Sequence, residues 1–290
     1  MGTMVALASP MDGAGRVDRA SFLRLLDYQR AGGVDGVVVG GTTGESATLS
    51  VEELGELVRV AREHLPSSVA VVAGSGSNST QRAADLTRLV FEAGADAAMV
   101  VTPSYNKPTQ GGLARHYEAI ADAAAGPVVL YNVPSRTACD MQPSTVAALA
   151  QHERIVAVKE AVPDMQRLHE LRELCGKHFA VLSGDDGSLI DALEAGVDGT
   201  VSVTGNVAPG AMAQMVALGR KGDLAEARKI DDRLRKLHAA LFVESNPIAV
   251  KWALARLGVI DGATLRLPLT PLDGAHEALV DDALRTAGLH

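Results

Sequence analysis

The sequence is poor in several features that mark particular classes of protein. Of its 290 residues only 2 are cysteines, Cys139 and Cys175, and only 3% are aromatic. Two cysteines fit reduced thiols in a cytoplasm better than a disulfide framework. The net charge of −8 provides no basic surface for nucleic acid, and no apolar run is long enough to cross a membrane. We therefore expect a cytoplasmic protein without a signal peptide, a nucleic-acid partner or a membrane partner.

Motifs for metals and nucleotide cofactors are also missing. The 8 histidines are scattered, without an H-E-x-x-H pattern, and no cysteines pair at zinc spacing. Residues 74–78 lack the final glycine of a dinucleotide-binding fingerprint and any Gly-Lys-Ser/Thr. Asp185 and Asp186 could hold a metal, but paired acids in a loop more often cap the loop or face solvent. The sequence predicts neither a metal nor an organic cofactor.

Short apolar runs are the most regular feature of the chain. Eight of them have the length and composition of buried parallel strands, at residues 4–8, 33–39, 69–73, 94–101, 128–131, 155–159, 179–183 and 196–203. Amphipathic stretches separate them, each expected to end at a glycine such as Gly33, Gly94 or Gly196, and Ser50 with Glu53 predicts a helix-capping box. This alternation favours a (β/α)8 TIM barrel over an open doubly wound sheet.

The C-terminal part of the chain has a different pattern. After Pro209 the strand signal stops, and residues 210–290 are predicted to be helical. We therefore expect a catalytic barrel over residues 1–220, followed by a small C-terminal helical domain over residues 221–290.

Lys159 stands at the end of the sixth apolar run, and Tyr131 ends the fifth. Active-site residues of such barrels lie at the carboxyl ends of the strands, so one βα unit should place the amine beside the phenol. Burial there favours a neutral, nucleophilic amine, and a tyrosine can transfer protons during imine formation. Each residue taken alone has a simpler interpretation. Lys159 could be a lysine that extends to solvent, and Tyr131 an aromatic residue on the rim of the barrel.

Two further loops supply groups suited to carboxylates. Glycines around Thr42 and Thr43 allow inward-pointing N–H groups, although an ordinary glycine-rich turn has the same sequence. Arg136 follows the fifth strand and could bind a second carboxylate, although an isolated loop arginine is usually solvated. Together with Lys159 and the missing metal motifs, these groups point to Schiff-base carbonyl chemistry.

Seven motifs, in this order, resemble the dihydrodipicolinate synthase family, whose broader group includes N-acetylneuraminate lyase. The motifs cover residues 40–50, 102–108, 130–137, 158–161, 182–186, 246–252 and 265–272, so the resemblance extends over nearly the whole chain. It implies a Schiff-base condensation of pyruvate with L-aspartate 4-semialdehyde, in the diaminopimelate and lysine biosynthesis pathway. It also implies a homodimer or a homotetramer built as a dimer of dimers.

The resemblance also implies roles for the catalytic groups. Lys159 would form the imine with pyruvate. Tyr131 would be the proton donor, linked through Thr42 to Tyr105, which in the family reaches in from a neighbouring subunit. Thr43 would bind the pyruvate carboxylate. The double threonine and the Ser135-Arg136 pair favour the synthases over the neuraminate lyases.

Three further positions complete the pocket that the resemblance implies. Arg136 would bind the carboxylate of the aldehyde substrate. Gly184 and the backbone of Val201 would line the pocket around pyruvate.

Two alternatives to the synthase remain open from the sequence. One is another pyruvate-dependent aldolase, acting on a sialic acid or a keto-deoxy sugar acid. The other is a barrel that has lost catalysis and only binds a ligand. A metal-dependent aldolase is disfavoured by the missing ligand set.

The chain departs from lysine-inhibited members of the family at four positions. Val51 and Leu54 stand where those members carry histidines, Arg82 where an acid is common, and Ser104 where an aromatic residue precedes Tyr105. Ser46, Ala47 and Asn78 are kept. Because an arginine repels an ammonium group, the sequence predicts weak or absent feedback inhibition by L-lysine.

Overall fold

The protein is described by a computed structural model that covers residues 2–290. Its eight strands are β1 (Thr3–Ala6), β2 (Gly36–Val39), β3 (Ala70–Gly74), β4 (Ala97–Val101), β5 (Val128–Asn132), β6 (Ile155–Glu160), β7 (Ala180–Ser183) and β8 (Gly199–Ser202). All neighbours pair in parallel, and β8 pairs with β1 to close the barrel. The predicted (β/α)8 barrel and its eight strands are confirmed.

Twelve α-helices accompany these strands. They are α1 (Arg19–Ala31), α2 (Val51–His64), α3 (Thr80–Glu92), α4 (Gln110–Ala123), α5 (Pro134–Thr137), α6 (Pro143–Leu149), α7 (Met165–Cys175), α8 (Leu189–Glu194), α9 (Pro209–Arg220), α10 (Leu224–Ala240), α11 (Ile248–Arg256) and α12 (Gly274–Thr286). None of the helices within residues 2–290 is long and apolar enough to cross a membrane.

The predicted capping residues and helix-ending glycines are confirmed in the structure. Ser50 caps α2 by accepting a hydrogen bond from Glu53 N, and the Glu53 carboxylate accepts one from Ser50 N. Gly33, Gly94 and Gly196 follow α1, α3 and α8 with φ of 73°, 99° and 86°. This left-handed conformation is easy only for glycine, so these residues turn the chain from each helix towards the next strand.

The apolar core has two layers, because strand side chains alternate between the barrel interior and the surrounding helices. The larger layer lies between strands and helices. The interior layer consists of Met4, Ala6, Val38, Val72, Met99, Val129, Tyr131, Val133, Ala157, Leu182 and Val201. The interior is therefore filled below its carboxyl end, and the space that the barrel itself leaves for a ligand lies at the mouth.

The C-terminal helices follow the barrel without a break. Helix α10 packs on α8, α9 and α12, and α11 contacts the 3-10 turn Thr204–Asn206 that follows β8. The expected domain boundary after residue 220 falls between α9 and α10. It stays a prediction, and the contacts of α11 bring this C-terminal region to the mouth of the barrel.

Candidate active site

Two neighbouring strand ends place Lys159 beside Tyr131. The residues are direct partners in the β5–β6 register, and Lys159 Nζ lies 4.2 Å from the centroid of the Tyr131 ring. Both side chains face the carboxyl end of the barrel interior, where Tyr131 is part of the interior apolar layer, and only 4% of Lys159 and 6% of Tyr131 is exposed. The predicted juxtaposition is confirmed, and burial argues against a lysine that simply extends to solvent.

A chamber of about 430 Å³ opens at this point. Its walls include Thr42, Thr43, Tyr131, Arg136, Lys159 and Gly184, six of the eight residues selected from the sequence. They come from the ends of β2, β5, β6 and β7 and from the loops that follow. Three residues of the C-terminal region also line the chamber, namely Phe242, Ser245 and Asn246.

The loop after β2 presents the two threonines. It turns at Gly40, which has φ of 64°, and is closed by hydrogen bonds from Glu45 N to Thr42 O at 3.1 Å and from Ser46 N to Gly41 O at 3.2 Å. Thr43 is buried, and its hydroxyl oxygen accepts a hydrogen bond from Asn246 Nδ2 at 2.9 Å. The loop is therefore compact, and its position depends on a residue far along the chain.

Gly184 and Arg136 lie on the walls of the chamber. A Cβ atom added to Gly184 would lie 2.9 Å from Lys159 Cε, so a side chain there would displace the lysine. Arg136 lies on the short helix α5, exposed to solvent and facing the chamber. Its guanidinium is free to meet an anion that enters from solvent.

Tyr105 and Val201 differ from the other six. Tyr105 is 91% exposed, with φ of 68°, and does not line the chamber within one chain. Its contribution from a neighbouring subunit stays a prediction. Val201 lies in the interior layer below the chamber, and the residue that lines the wall from this part of the chain is Val203, whose side chain belongs to the layer between strands and helices.

Asp185 and Asp186 shape loops. The Asp185 carboxylate accepts hydrogen bonds from the N–H and the hydroxyl of Ser188, and that of Asp186 accepts from the N–H groups of Val203 and Thr204. This confirms the loop-capping interpretation. Within residues 2–290, no three His, Cys, Asp or Glu side chains cluster as ligands of a metal ion.

A charged network lies on the outer side of the same strand ends. The Glu160 carboxylate accepts from Asn132 Nδ2 at 3.1 Å and from Arg167 Nε at 2.8 Å, and Arg167 also pairs with Asp140. Burial raises the pKa of Glu160, while the Arg167 charge opposes that rise. Because Asn132 and Glu160 directly follow Tyr131 and Lys159, this network holds the backbone that carries the two interior side chains.

A second cavity, of about 420 Å³, lies beside the chamber and shares Thr42 and Tyr131 with it. Its lining includes every position compared with the lysine-inhibited relatives, namely Ser46, Ala47, Val51, Leu54, Asn78, Arg82 and Ser104. Asn78 Oδ1 accepts hydrogen bonds from both the N–H and the hydroxyl of Ser104. No carboxylate from the described part of the chain lines this cavity.

Fold and site together define a (β/α)8 barrel with a buried lysine and tyrosine at the carboxyl ends of adjacent strands. Residues 1–287 match the model of the dihydrodipicolinate synthetase family. The chain belongs to this family, and the resemblance inferred from its motifs is confirmed.

Full-length relatives agree with this assignment. The chain is 50% identical over 287 residues to the 4-hydroxy-tetrahydrodipicolinate synthase of Alkalilimnicola ehrlichii, covering 99% of this chain and 98% of the relative. It is 47% identical over 288 residues to the enzyme of the same name from Pseudomonas aeruginosa, with coverage of 99% and 98%. The crystal structure of the chloride-inhibited dihydrodipicolinate synthase of Acinetobacter baumannii, complexed with pyruvate, superposes with a TM-score of 0.97 at 42% identity, covering 100% and 99% of the two chains.

Proposed function

We propose that the protein is a 4-hydroxy-tetrahydrodipicolinate synthase, a lyase of the diaminopimelate and lysine biosynthesis pathway. Its substrates are pyruvate and L-aspartate 4-semialdehyde. The observation that carries the proposal is the buried Lys159 amine, 4.2 Å from the Tyr131 ring centroid, in a chamber that also presents Thr43 and Arg136. Amine, proton donor and carboxylate partners are the groups that such a condensation requires.

The reaction begins at Lys159. Its nitrogen attacks C2 of pyruvate, a C=N bond replaces the C=O bond, and the carbonyl oxygen leaves as water. Loss of a methyl proton gives an enamine, whose carbon attacks the aldehyde carbon of the second substrate. The amino group of that substrate then attacks C2, which closes the ring and releases Lys159. No step needs a metal or an organic cofactor.

The remaining residues serve proton transfer and orientation in this proposal. Tyr131 donates and accepts protons during imine formation, and Thr42 links it to Tyr105. Thr42 and Tyr131 share a chamber wall, which supports the first link.

Binding of the two substrates is assigned to four further groups. Thr43 binds the pyruvate carboxylate, in a pocket lined by Gly184 and the Val201 backbone. Arg136 binds the carboxylate of the semialdehyde, because a guanidinium suits bidentate recognition of a carboxylate.

Tyr105 supports an oligomer as the active form. Because Tyr105 is 91% exposed and does not line the chamber of its own chain, its side chain is available to enter the chamber of a neighbouring copy. We infer a homodimer at least, with a homotetramer as the extended assembly. Cys139 and Cys175 are both free, in keeping with a reducing cytoplasm.

The test combines turnover with chemical trapping. Initial rates with pyruvate and L-aspartate 4-semialdehyde are followed through NADPH consumption by coupled dihydrodipicolinate reductase. Borohydride with pyruvate should add a stable mass at Lys159. We expect Lys159→Ala to abolish both signals while remaining folded, and the exposed control Lys177→Ala to retain both.

Each failure has a distinct meaning. Trapping without turnover would reject L-aspartate 4-semialdehyde as the substrate and point to a sugar-acid aldolase. Absence of trapping in folded wild-type protein would reject Schiff-base chemistry altogether and leave a binding barrel.

A further inference from the structure

A buried ion pair connects helix α11 with the threonine loop. Lys251 Nζ lies 2.6 Å from Glu45 Oε1, and the two side chains are 0% and 1% exposed. Burial lowers the pKa of Lys251, although the Glu45 carboxylate opposes that shift. Because desolvation offsets much of the attraction in such a pair, it is a weak source of stability. Its position suggests a second role.

Glu45 is held in an unfavourable backbone conformation. Its φ of 55° lies in the left-handed region, which costs a residue other than glycine roughly 1 kcal/mol. Its second carboxylate oxygen accepts a hydrogen bond from Arg266 N at 3.0 Å. Tertiary contacts from α11 and from residue 266 therefore maintain a conformation that the loop alone would leave.

The same element holds the loop at a second point. Asn246, two residues before α11 begins, donates its hydrogen bond to the Thr43 hydroxyl. Glu45 N in turn donates to Thr42 O. Both threonines that face the Lys159 chamber are thus connected to the first turn of α11 or the residues just before it.

We propose that Lys251 is a positioning residue for pyruvate binding, acting through Glu45 to hold Thr42 and Thr43 against the Lys159 chamber. Lys251 is absent from the residues that line the chamber, so its effect on the ligand is indirect. The inference rests on the proposed function in naming pyruvate as the ligand. It makes the C-terminal helices part of the site.

The first test is Lys251→Met, which keeps much of the apolar stem and removes the charge. We expect the KM for pyruvate, and the pyruvate concentration for half-maximal borohydride trapping at Lys159, to rise about tenfold. The KM for L-aspartate 4-semialdehyde should change less than about twofold, because Arg136 lies on α5, away from the pair. The control Lys229→Met removes an exposed lysine paired with Glu226 and should change neither KM.

A double variant separates positioning from stability. Lys251→Met alone leaves a buried carboxylate without its cation and will lower the unfolding temperature, or prevent folding. Glu45→Gln combined with Lys251→Met leaves no buried charge and should regain stability. We expect this folded double variant to keep the tenfold weaker pyruvate dependence. A double variant with both wild-type stability and wild-type pyruvate KM would overturn the inference.

The trapping readout also separates this inference from the proposed function. If wild-type protein traps pyruvate but does not catalyse the condensation, the proposed function is rejected. The pyruvate concentrations for half-maximal trapping in wild type and Lys251→Met still test the role of Lys251. If wild-type protein does not trap pyruvate, both proposals are overturned. If wild-type protein catalyses the condensation and Lys251→Met needs the same pyruvate concentration for half-maximal trapping, only the positioning role is rejected.

Discussion

Replacing Gly184 by alanine should damage the proposed chemistry more than it damages the fold. The new Cβ would lie 2.9 Å from Lys159 Cε and 3.0 Å from Ala161 Cβ, whereas ordinary contacts begin at about 3.4 Å. The φ of Gly184 is not in the left-handed region, so the backbone itself accepts alanine. The consequence is steric, and the most movable neighbour is the end of the lysine side chain.

The magnitude follows from that displacement. Lys159 Cε must move by about 0.5 Å, which its flexible side chain allows, but Ala161 must also give because its Cα would lie 3.2 Å from the new Cβ. We therefore expect a stability loss of about 1–3 kcal/mol, the usual range for overpacking. Catalysis is less tolerant, since a misplacement of about 1 Å can cost about a hundredfold. We therefore expect kcat/KM to fall about 10- to 100-fold, equivalent to about 1.4 to 2.7 kcal/mol in the barrier.

The assay is the coupled condensation rate, measured together with the rate of borohydride trapping and the unfolding temperature. Gly187→Ala is the matched control, because its Cβ would meet only Asp185 Oδ2 at an ordinary 3.7 Å in the same loop. That variant should retain wild-type rates. A folded Gly184→Ala protein with kcat/KM within about twofold of wild type would refute the reasoning that Lys159 must occupy this one position.

Three further predictions concern other parts of the site. Arg136→Ala should raise the KM for L-aspartate 4-semialdehyde roughly tenfold while leaving pyruvate trapping unchanged, and an unchanged KM would remove Arg136 from that role. Sub-millimolar L-lysine should not alter the initial rate, because Arg82 repels its ammonium group in a cavity that no described carboxylate lines; inhibition in that range would contradict this. Arg167→Met should lower the free energy of unfolding, measured in urea near pH 8, by about 3–5 kcal/mol, because it leaves the buried Glu160 carboxylate without its cation. The stability loss caused by Arg167→Met should be smaller near pH 5. Burial already raises the pKa of Glu160, and removing the arginine raises it further, so the carboxyl group becomes neutral at that pH. Equal losses at both pH values would refute this.

Much of the barrel follows from local sequence signals. Buried parallel strands must be apolar on both faces, so each appears as a short continuous run, and the glycines after α1, α3 and α8 mark turns that other residues enter only with strain. Because the side chains of a strand alternate and the barrel places consecutive strands side by side, Lys159 and Tyr131 could be assigned to one mouth from their positions at two strand ends.

Other features depend on contacts between distant parts of the chain. Lys251 and Glu45 are 206 positions apart, and Asn246 is 203 from Thr43. No local pattern marks such pairs, because the position of α11 at the mouth of the barrel depends on how the C-terminal helices pack on the barrel and on one another.

The depth of each side chain is likewise a tertiary property. Val201 and Val203 are two positions apart, yet Val201 packs in the interior layer and Val203 in the layer between strands and helices, because β8 ends at Ser202 and strand alternation stops there. The order of residues along the chain by itself determined a (β/α)8 barrel and indicated its proposed reactive groups, because burial and alternation leave local patterns in the sequence. The folded structure decided which groups meet and which residue buttresses the threonine loop, because those distances depend on how all the elements pack at once.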